Sequence, residues 1–364
     1  MHSIFDYLTW RGDLTMDQDG FRPVDGLLFS AFSYLHPDVL FADKDDSPVS
    51  IIQLSDYVDS LDEEKKKEVC RCEEDLQLLS AMKKSRRYGG LKLIGFYNLL
   101  DEKNEIQLTA FAIGLGRAGT LLLYRGTDSS VIGWKEDFNM LFMDNLPGQE
   151  EAMEFFVRTA QVTSGPLYLA GHSKGGNFAV YSAACAPPEI QSRVKAIYNY
   201  DGPGFSEAFV KTDGYRSILP LIHTYVPQSS VVGMLLSHRE PYKVVESSTI
   251  GPFQHDPYSW NVLGGGFVQL EEVDSMSQYL SETLHIWLKN MSLEERESFV
   301  EKAYNIVSET KAQDMYDLLK PGNVYIIMKK LGATDRSSRA VLKDAMKKLR
   351  QAAFRSRRVT SKQE

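Results

Sequence analysis

Cysteine is scarce, with three in 364 residues: Cys70, Cys72 and Cys185. An odd, scattered set excludes a disulfide scaffold and suits a reducing compartment. Cys70 and Cys72 stand one residue apart among charges with no second pair near them, so zinc is not expected. No apolar run approaches the ~20 residues that span a bilayer. The N-terminus, Met1-His-Ser-Ile-Phe-Asp-Tyr, has no cationic segment ahead of an apolar one and does not read as a secretory signal. The expected location is cytoplasmic. Positive charge is also short: 41 Lys and Arg against 49 Asp and Glu leave a net charge of −8, which argues against general nucleic-acid binding. There is no phosphate-binding Gly-x-x-x-x-Gly-Lys-Ser/Thr. Gly114-Leu-Gly116 reads as a turn between strands, and Gly264-Gly-Gly266 lacks a strand before and a helix after it. No metal or organic cofactor is called for.

What is present is an ordinary globular composition, 43% hydrophobic and 25% charged, which disfavours disorder. The charge is unevenly placed. Residues 335–364 hold ten Lys or Arg and three acids, a charge of +7, so the first 334 residues carry −15.

Residues 24–35 read as a helix with a wide apolar face, and 61–87 as a solvated helix pair. The period then changes: 91–100, 106–113 and 119–124 alternate or run apolar between turn residues, as strands do. A helix over 148–162, a strand over 167–170, a helix over 173–186 and strands over 194–200, 218–226 and 243–247 follow. Strands alternating with helices imply parallel crossovers and a sheet covered on both faces. From residue 273 the pattern is helical, with Ser292 and Glu295 spaced as a capping box and Pro321-Gly322 as a break before the tail. The expected layout is a helical N-terminal extension over 1–90, an α/β core over 91–310 and a helical basic tail over 311–364.

The chemistry-bearing segment is Leu167-Tyr-Leu-Ala-Gly-His-Ser-Lys-Gly-Gly-Asn177. Its G-x-S-x-G lies between an apolar strand and a small-residue helix, the setting of a nucleophile elbow. There Ser173 sits in a strained turn, glycines relieve crowding, and the helix N-terminus with the Lys174 amide stabilises negative charge. Upstream, Tyr124-Arg-Gly-Thr-Asp128 ends a strand, where the second oxyanion donor of an acyl-transfer site belongs. Thr127 offers an amide and a hydroxyl for that role. The bland alternative is an ordinary turn.

Tyr-Arg-Gly-Thr-Asp, then Trp134 and Asp137, then Gly-His-Ser-Lys-Gly-Gly resembles the class 3 lipases among the α/β-hydrolases. The run from Val24-Asp25 through Tyr-Val-Pro-Gln-Ser-Ser to Gln-His-Asp-Pro-Tyr-Ser-Trp is similar to a bacterial lipase-like branch of that family. The resemblance implies an α/β-hydrolase fold and acyl-ester hydrolysis, with Ser173 as nucleophile and the Lys174 and Thr127 amides as oxyanion hole. The base follows the serine in chain order. His255, in a loop, is the choice; His223 reads as a strand core residue, His238 as a helix end, His285 as packed in a helix and His172 as support for the elbow. The acid departs from the family, because Tyr225–Val232, where those lipases place it, has no carboxylate. Asp201, at the end of the strand after the nucleophile helix, occupies the position used by pancreatic-type lipases. Asp256 and Ser229 stay open as alternatives.

The function expected is thus a serine esterase working through Ser173, His255 and Asp201 on a small-molecule or lipid acyl ester. The rival is a non-catalytic hydrolase-fold binding protein. Met234, Leu235 and Leu236 lie in an expected loop-to-helix stretch over 228–242, as an acyl-pocket wall or as core. The tail spaces Val341, Leu342, Ala345, Met346 and Leu349 for one helical face. It either packs on its own acidic body or touches an anionic membrane.

Overall fold

The computed structural model describes residues 3–37, 47–128, 131–310, 312 and 320–360. The expected boundary at 311 and the last four residues of the tail lie outside them. Where the pattern turns apolar and β-branched, strands form: β1 (Val49–Ser50), β2 (Lys92–Asp101), β3 (Ile106–Gly114), β4 (Thr120–Tyr124), β5 (Leu167–His172), β6 (Val194–Tyr200), β7 (Ile222–Pro227) and β8 (Tyr242–Val245). Three short strands follow, β9 (Val262–Leu263), β10 (Gly266–Phe267) and β11 (Gln269–Leu270). Among the described residues one sheet runs in the order β1-β2-β3-β4-β5-β6-β7-β8-β11, and β9 and β10 form a separate hairpin. β4 through β8 are parallel, while β1, β3 and β11 pair antiparallel with their neighbours β2, β4 and β8. The architecture is α/β, a mixed and mostly parallel sheet with helices.

Because β4 to β8 lie side by side in chain order, right-handed crossovers put their connecting helices on one face. The other face needs cover from elsewhere, and the helix Pro23–Phe32 supplies it. Every residue from Val24 to Phe32 is buried, which accounts for an apolar run without a polar stripe. It packs with Leu121, Leu123, Ala170 and Tyr198, which register sets on one face: Leu121 pairs with Tyr168, Leu123 with Ala170 and Ala170 with Tyr198.

This helix is pinned by charge at its start. Asp25 is fully buried and takes Arg87 Nε at 2.8 Å and Nη2 at 2.5 Å. Tyr7 and Tyr88 hydroxyls also donate to it, at 3.1 and 2.6 Å, as does the Arg22 amide at 2.7 Å. Such a carboxylate is tolerable only with its lone pairs filled. Beyond the helix, Arg125 at the end of β4 donates to the carbonyls of Ser33 and Leu35, both at 2.5 Å.

Two compact units emerge. The first holds 1–99, 108–126 and 148–274, and the second 100–107, 127–147 and 275–364. The second contains the helices Ser275–Lys289, Leu293–Val307, Pro321–Ala333 and Arg336–Thr360. The capping box at Ser292 and Glu295 is formed. Pro321-Gly322, expected as a break, instead opens a helix, since proline at the first helical position loses no hydrogen bond. The stretch 228–242 does not become an α-helix; one short 3₁₀ turn, Val232–Met234, forms. Its backbone groups are engaged across the chain instead, Gly204 donating to Leu235 and Phe205 bridging Ser237. Among the described residues no helix is long and apolar enough to cross a membrane.

Candidate active site

Ser173 follows the last residue of β5 and caps the helix Lys174–Cys185 with φ 57° and ψ −133°. A non-glycine residue there is strained, at a cost of about 1–3 kcal/mol. The surrounding backbone enforces it. A Cβ on Gly171 would fall 2.2 Å from the Gly175 carbonyl oxygen, and one on Gly175 would fall 2.2 Å from that of Tyr124. Positions 171 and 175, two residues before and after the serine, are therefore closed to side chains. Ser173 donates its amide to Tyr200 at 2.9 Å. Gly126 lies against it, for a Cβ there would sit 3.1 Å from Ser173 Cβ.

The next strand ends the same way. Asp201 follows β6 with φ 52°, and its amide donates to Tyr225 at 2.8 Å. A Cβ on the following Gly202 would lie 2.5 Å from the Ser173 carbonyl oxygen, so the two turns are packed together. Asp201 is buried. Its Oδ1 accepts from Ser230 Oγ at 2.5 Å and from the Gly233 amide at 3.1 Å. Its Oδ2 faces His255 Nδ1 at 2.6 Å. An ionised carboxylate only accepts, so that bond puts the proton on Nδ1 and leaves Nε2 as the basic nitrogen.

His172, one residue before the serine, holds the His255 loop. Its Nε2 lies 2.6 Å from the His255 carbonyl oxygen and its Nδ1 2.8 Å from Tyr34 Oη. A carbonyl only accepts, so Nε2 carries the proton and Nδ1 takes one from tyrosine. The two imidazole rings lie with centroids 4.5 Å apart and planes tilted by 40°. Burial pushes the His172 imidazole well below its ordinary pKa, and the neighbouring His255 pushes it the same way. Gln254 adds a second tie, its Oε1 accepting from the Ser229 amide at 2.7 Å and its Nε2 donating to Thr249 at 3.0 Å. Among the described residues no hydrogen bond joins the Ser173 hydroxyl to His255 Nε2.

The other candidates lie elsewhere. His223 is half-buried in β7, its ring stacked on Tyr198 at 5.3 Å. His238 forms a second histidine–carboxylate pair, with Nδ1 2.9 Å from Glu240 Oε1. Glu240 is also bonded to Tyr215 and Thr224; burial works against its charge, yet His238 and these hydroxyls bring its pKa down to about 2. Among the described residues that pair's hydrogen bonds run to Tyr215, Thr224 and the Arg239 amide and not to the Ser173 turn. His285 is exposed on its helix rather than packed, because the helical phase gives the interior to Thr283, Trp287 and Leu288. Asp256 points to Arg71 at 3.8 Å, and Ser229 bonds Asp274. The Thr127 hydroxyl lies 2.7 Å from both Asp137 oxygens, so its proton is committed there and the amide is what an oxyanion role rests on. Lys174 is buried and is the first residue of the helix that Ser173 caps. Met234 packs with Val226, Val244 and Val273, while Leu235 and Leu236 are half-buried.

Sequence reasoning did not reach Tyr34, Arg71, Ser230 or the Gly233 amide. Arg71 sits 4.3 Å from the Tyr34 ring, and none of the four lies in a motif that announces a role. Ser230 was within sight, in the stretch where a carboxylate was missing.

A comparison with curated proteins finds no match. The model of one protein family matches residues 82–305, from the helix before β2 to the helix after the capping box, and so takes in both strained turns and the His255 loop. The chain belongs to that family, the Mbeg1-like family, which is lipase-like.

Proposed function

We propose that this chain is a serine hydrolase that cleaves an acyl ester. His255 Nε2 takes the proton of Ser173 as the hydroxyl attacks the ester carbonyl. Asp201 holds the imidazole in the tautomer that leaves Nε2 basic and stabilises the imidazolium. The Lys174 amide, at the start of the helix that Ser173 caps, serves the oxyanion. The protonated His255 then gives its proton to the leaving alcohol, and water, activated by the same nitrogen, releases the acid from the acyl-enzyme.

The observation that carries this reading is the pairing of buried Asp201 with half-buried His255, together with a strained serine on the adjoining strand end. The family's lipase-like character supports a hydrolase in coarser terms. Ile250 and Phe253, on the loop that carries His255, are 81% and 56% exposed. Apolar side chains offered to solvent next to the base suit a hydrophobic acyl group. Three free thiols fit a cytoplasmic setting.

Hydrolysis of p-nitrophenyl esters tests the proposal. Ser173→Ala is expected to abolish turnover, and unchanged turnover would remove the serine from its role. The competing reading, a hydrolase-fold binding protein, draws on the absent Ser173–His255 hydrogen bond. Catalytic hydrogen bonds are often long until substrate binds, so reactivity toward a fluorophosphonate separates the two.

A further inference from the structure

The helices Pro321–Ala333 and Arg336–Thr360 line a groove of about 1170 Å³. Of its twelve lining residues five are Lys or Arg and none is acidic. The longer helix has two distinct faces. Leu342, Ala345, Ala352 and Ser356 are buried and spaced for one stripe. That stripe meets Ser275–Lys289, where Trp287 Nε1 donates to Ala345 at 2.9 Å and Ser356 Oγ to Tyr279 at 3.2 Å. This is the face that packs on other helices of the second unit. Lys348 joins it, bonded to Glu295 at 2.5 Å and Asp344 at 3.2 Å.

The groove face is different. Lys343, Met346, Lys347, Arg350 and Phe354 recur at helical spacing along it. Among the described residues Lys343, Lys347 and Arg350 make no ion pair, and like charges at this spacing repel one another. Between them Met346 is 45% and Phe354 60% exposed, and Met328 of the facing helix is 65% exposed. A face turned only to water has no use for large apolar side chains among unneutralised cations. An occupant has to bring negative charge and apolar matter together in one layer, and an anionic phospholipid surface does so. A nucleic acid offers the phosphates but no apolar layer for Met328 and Met346.

We propose that this face binds an anionic phospholipid surface, lipid phosphates meeting Lys343, Lys347 and Arg350 while Met328, Met346 and Phe354 enter the headgroup–acyl boundary. The proposal stands independently of the catalytic reading. It is tested by flotation of the full chain with phosphatidylcholine vesicles, with and without roughly a third phosphatidylglycerol. Binding is expected to the anionic vesicles alone and to weaken with salt. Replacing Lys343, Lys347 and Arg350 together by Gln, which keeps helix propensity, lowers the partition coefficient by about 100-fold. Met346→Ser with Phe354→Ser weakens binding with every charge retained, which keeps the test valid if the triple variant loses its helix by circular dichroism. Equal binding to neutral vesicles, no binding to anionic ones, or binding indifferent to both variants would overturn the proposal. So would single-stranded RNA that binds more tightly than vesicles and is unaffected by the Met346 and Phe354 changes.

Discussion

His255 Nδ1 lies 2.6 Å from Oδ2 of Asp201, joining a loop to a strand-end carboxylate 54 positions earlier in the chain. The carboxylate is itself fixed by Ser230 and the Gly233 amide, so the imidazole is oriented by a group that is not free to turn. Asp201→Asn keeps the shape but presents either a donor or a weaker acceptor to Nδ1. The expected result is a fall in kcat on a p-nitrophenyl ester of about 10⁴-fold with little change in KM. A kcat within tenfold of the parent would show that another group orients His255.

The strain at Ser173 gives a second expectation, read in stability rather than rate. Ser173→Gly removes the Cβ that makes φ 57° costly. The variant is expected to be inactive yet more resistant to urea, by about 1 kcal/mol. A destabilised Ser173→Gly would mean that the turn is relaxed or that the hydroxyl supports the fold.

The motif and its surroundings differed in how far they could be read. Gly171 and Gly175 are visible in the sequence because only glycine survives where backbone approaches within 2.2 Å of a Cβ position. His255 is the histidine that chain order and a loop setting select. Asp201 stood beside Asp256 and Ser229 because a carboxylate before Gly-Pro-Gly also serves as a turn residue. Contacts such as Tyr34 with His172, 138 positions apart, and Arg87 with Asp25, 62 apart, leave no periodic trace. The helix Pro23–Phe32 was legible as apolar, but its place over β4 to β6 comes from the sequential strand order, which composition does not carry. A unit drawn from 100–107, 127–147 and 275–364 likewise makes no break in composition.

Asp25 and Arg87 are both fully buried at the side chain. Asp25→Ala strands the guanidinium without its partner and is expected to cost about 3–5 kcal/mol, seen as a lower urea midpoint. Replacing both residues by apolar ones of similar volume is expected to recover much of that loss. A midpoint for Asp25→Ala equal to the parent's would show that the network adds nothing.

His172 predicts a pH dependence of stability. Its folded pKa is pushed well below the ordinary 6.5 by burial, so as pH falls the unfolded chain takes the proton first. The stability is intact above about pH 6.5 and is lost below it, by about 1.4 kcal/mol per pH unit until another group titrates. His223, lowered by burial and by Lys243, acts in the same direction. Between pH 7.5 and 5.5 the urea midpoint is expected to fall, and to fall less in His172→Gln, which retains a donor for the His255 carbonyl. Equal slopes would indicate that His172 titrates normally.

The most direct measurement is the site of covalent labelling by a fluorophosphonate, read by mass spectrometry of the digested protein. One adduct is expected, on Ser173, absent in Ser173→Ala and formed far more slowly in His255→Ala and Asp201→Asn. No adduct on the folded protein, or labelling of Ser173 at an unchanged rate in both the His255 and Asp201 variants, would contradict this expectation.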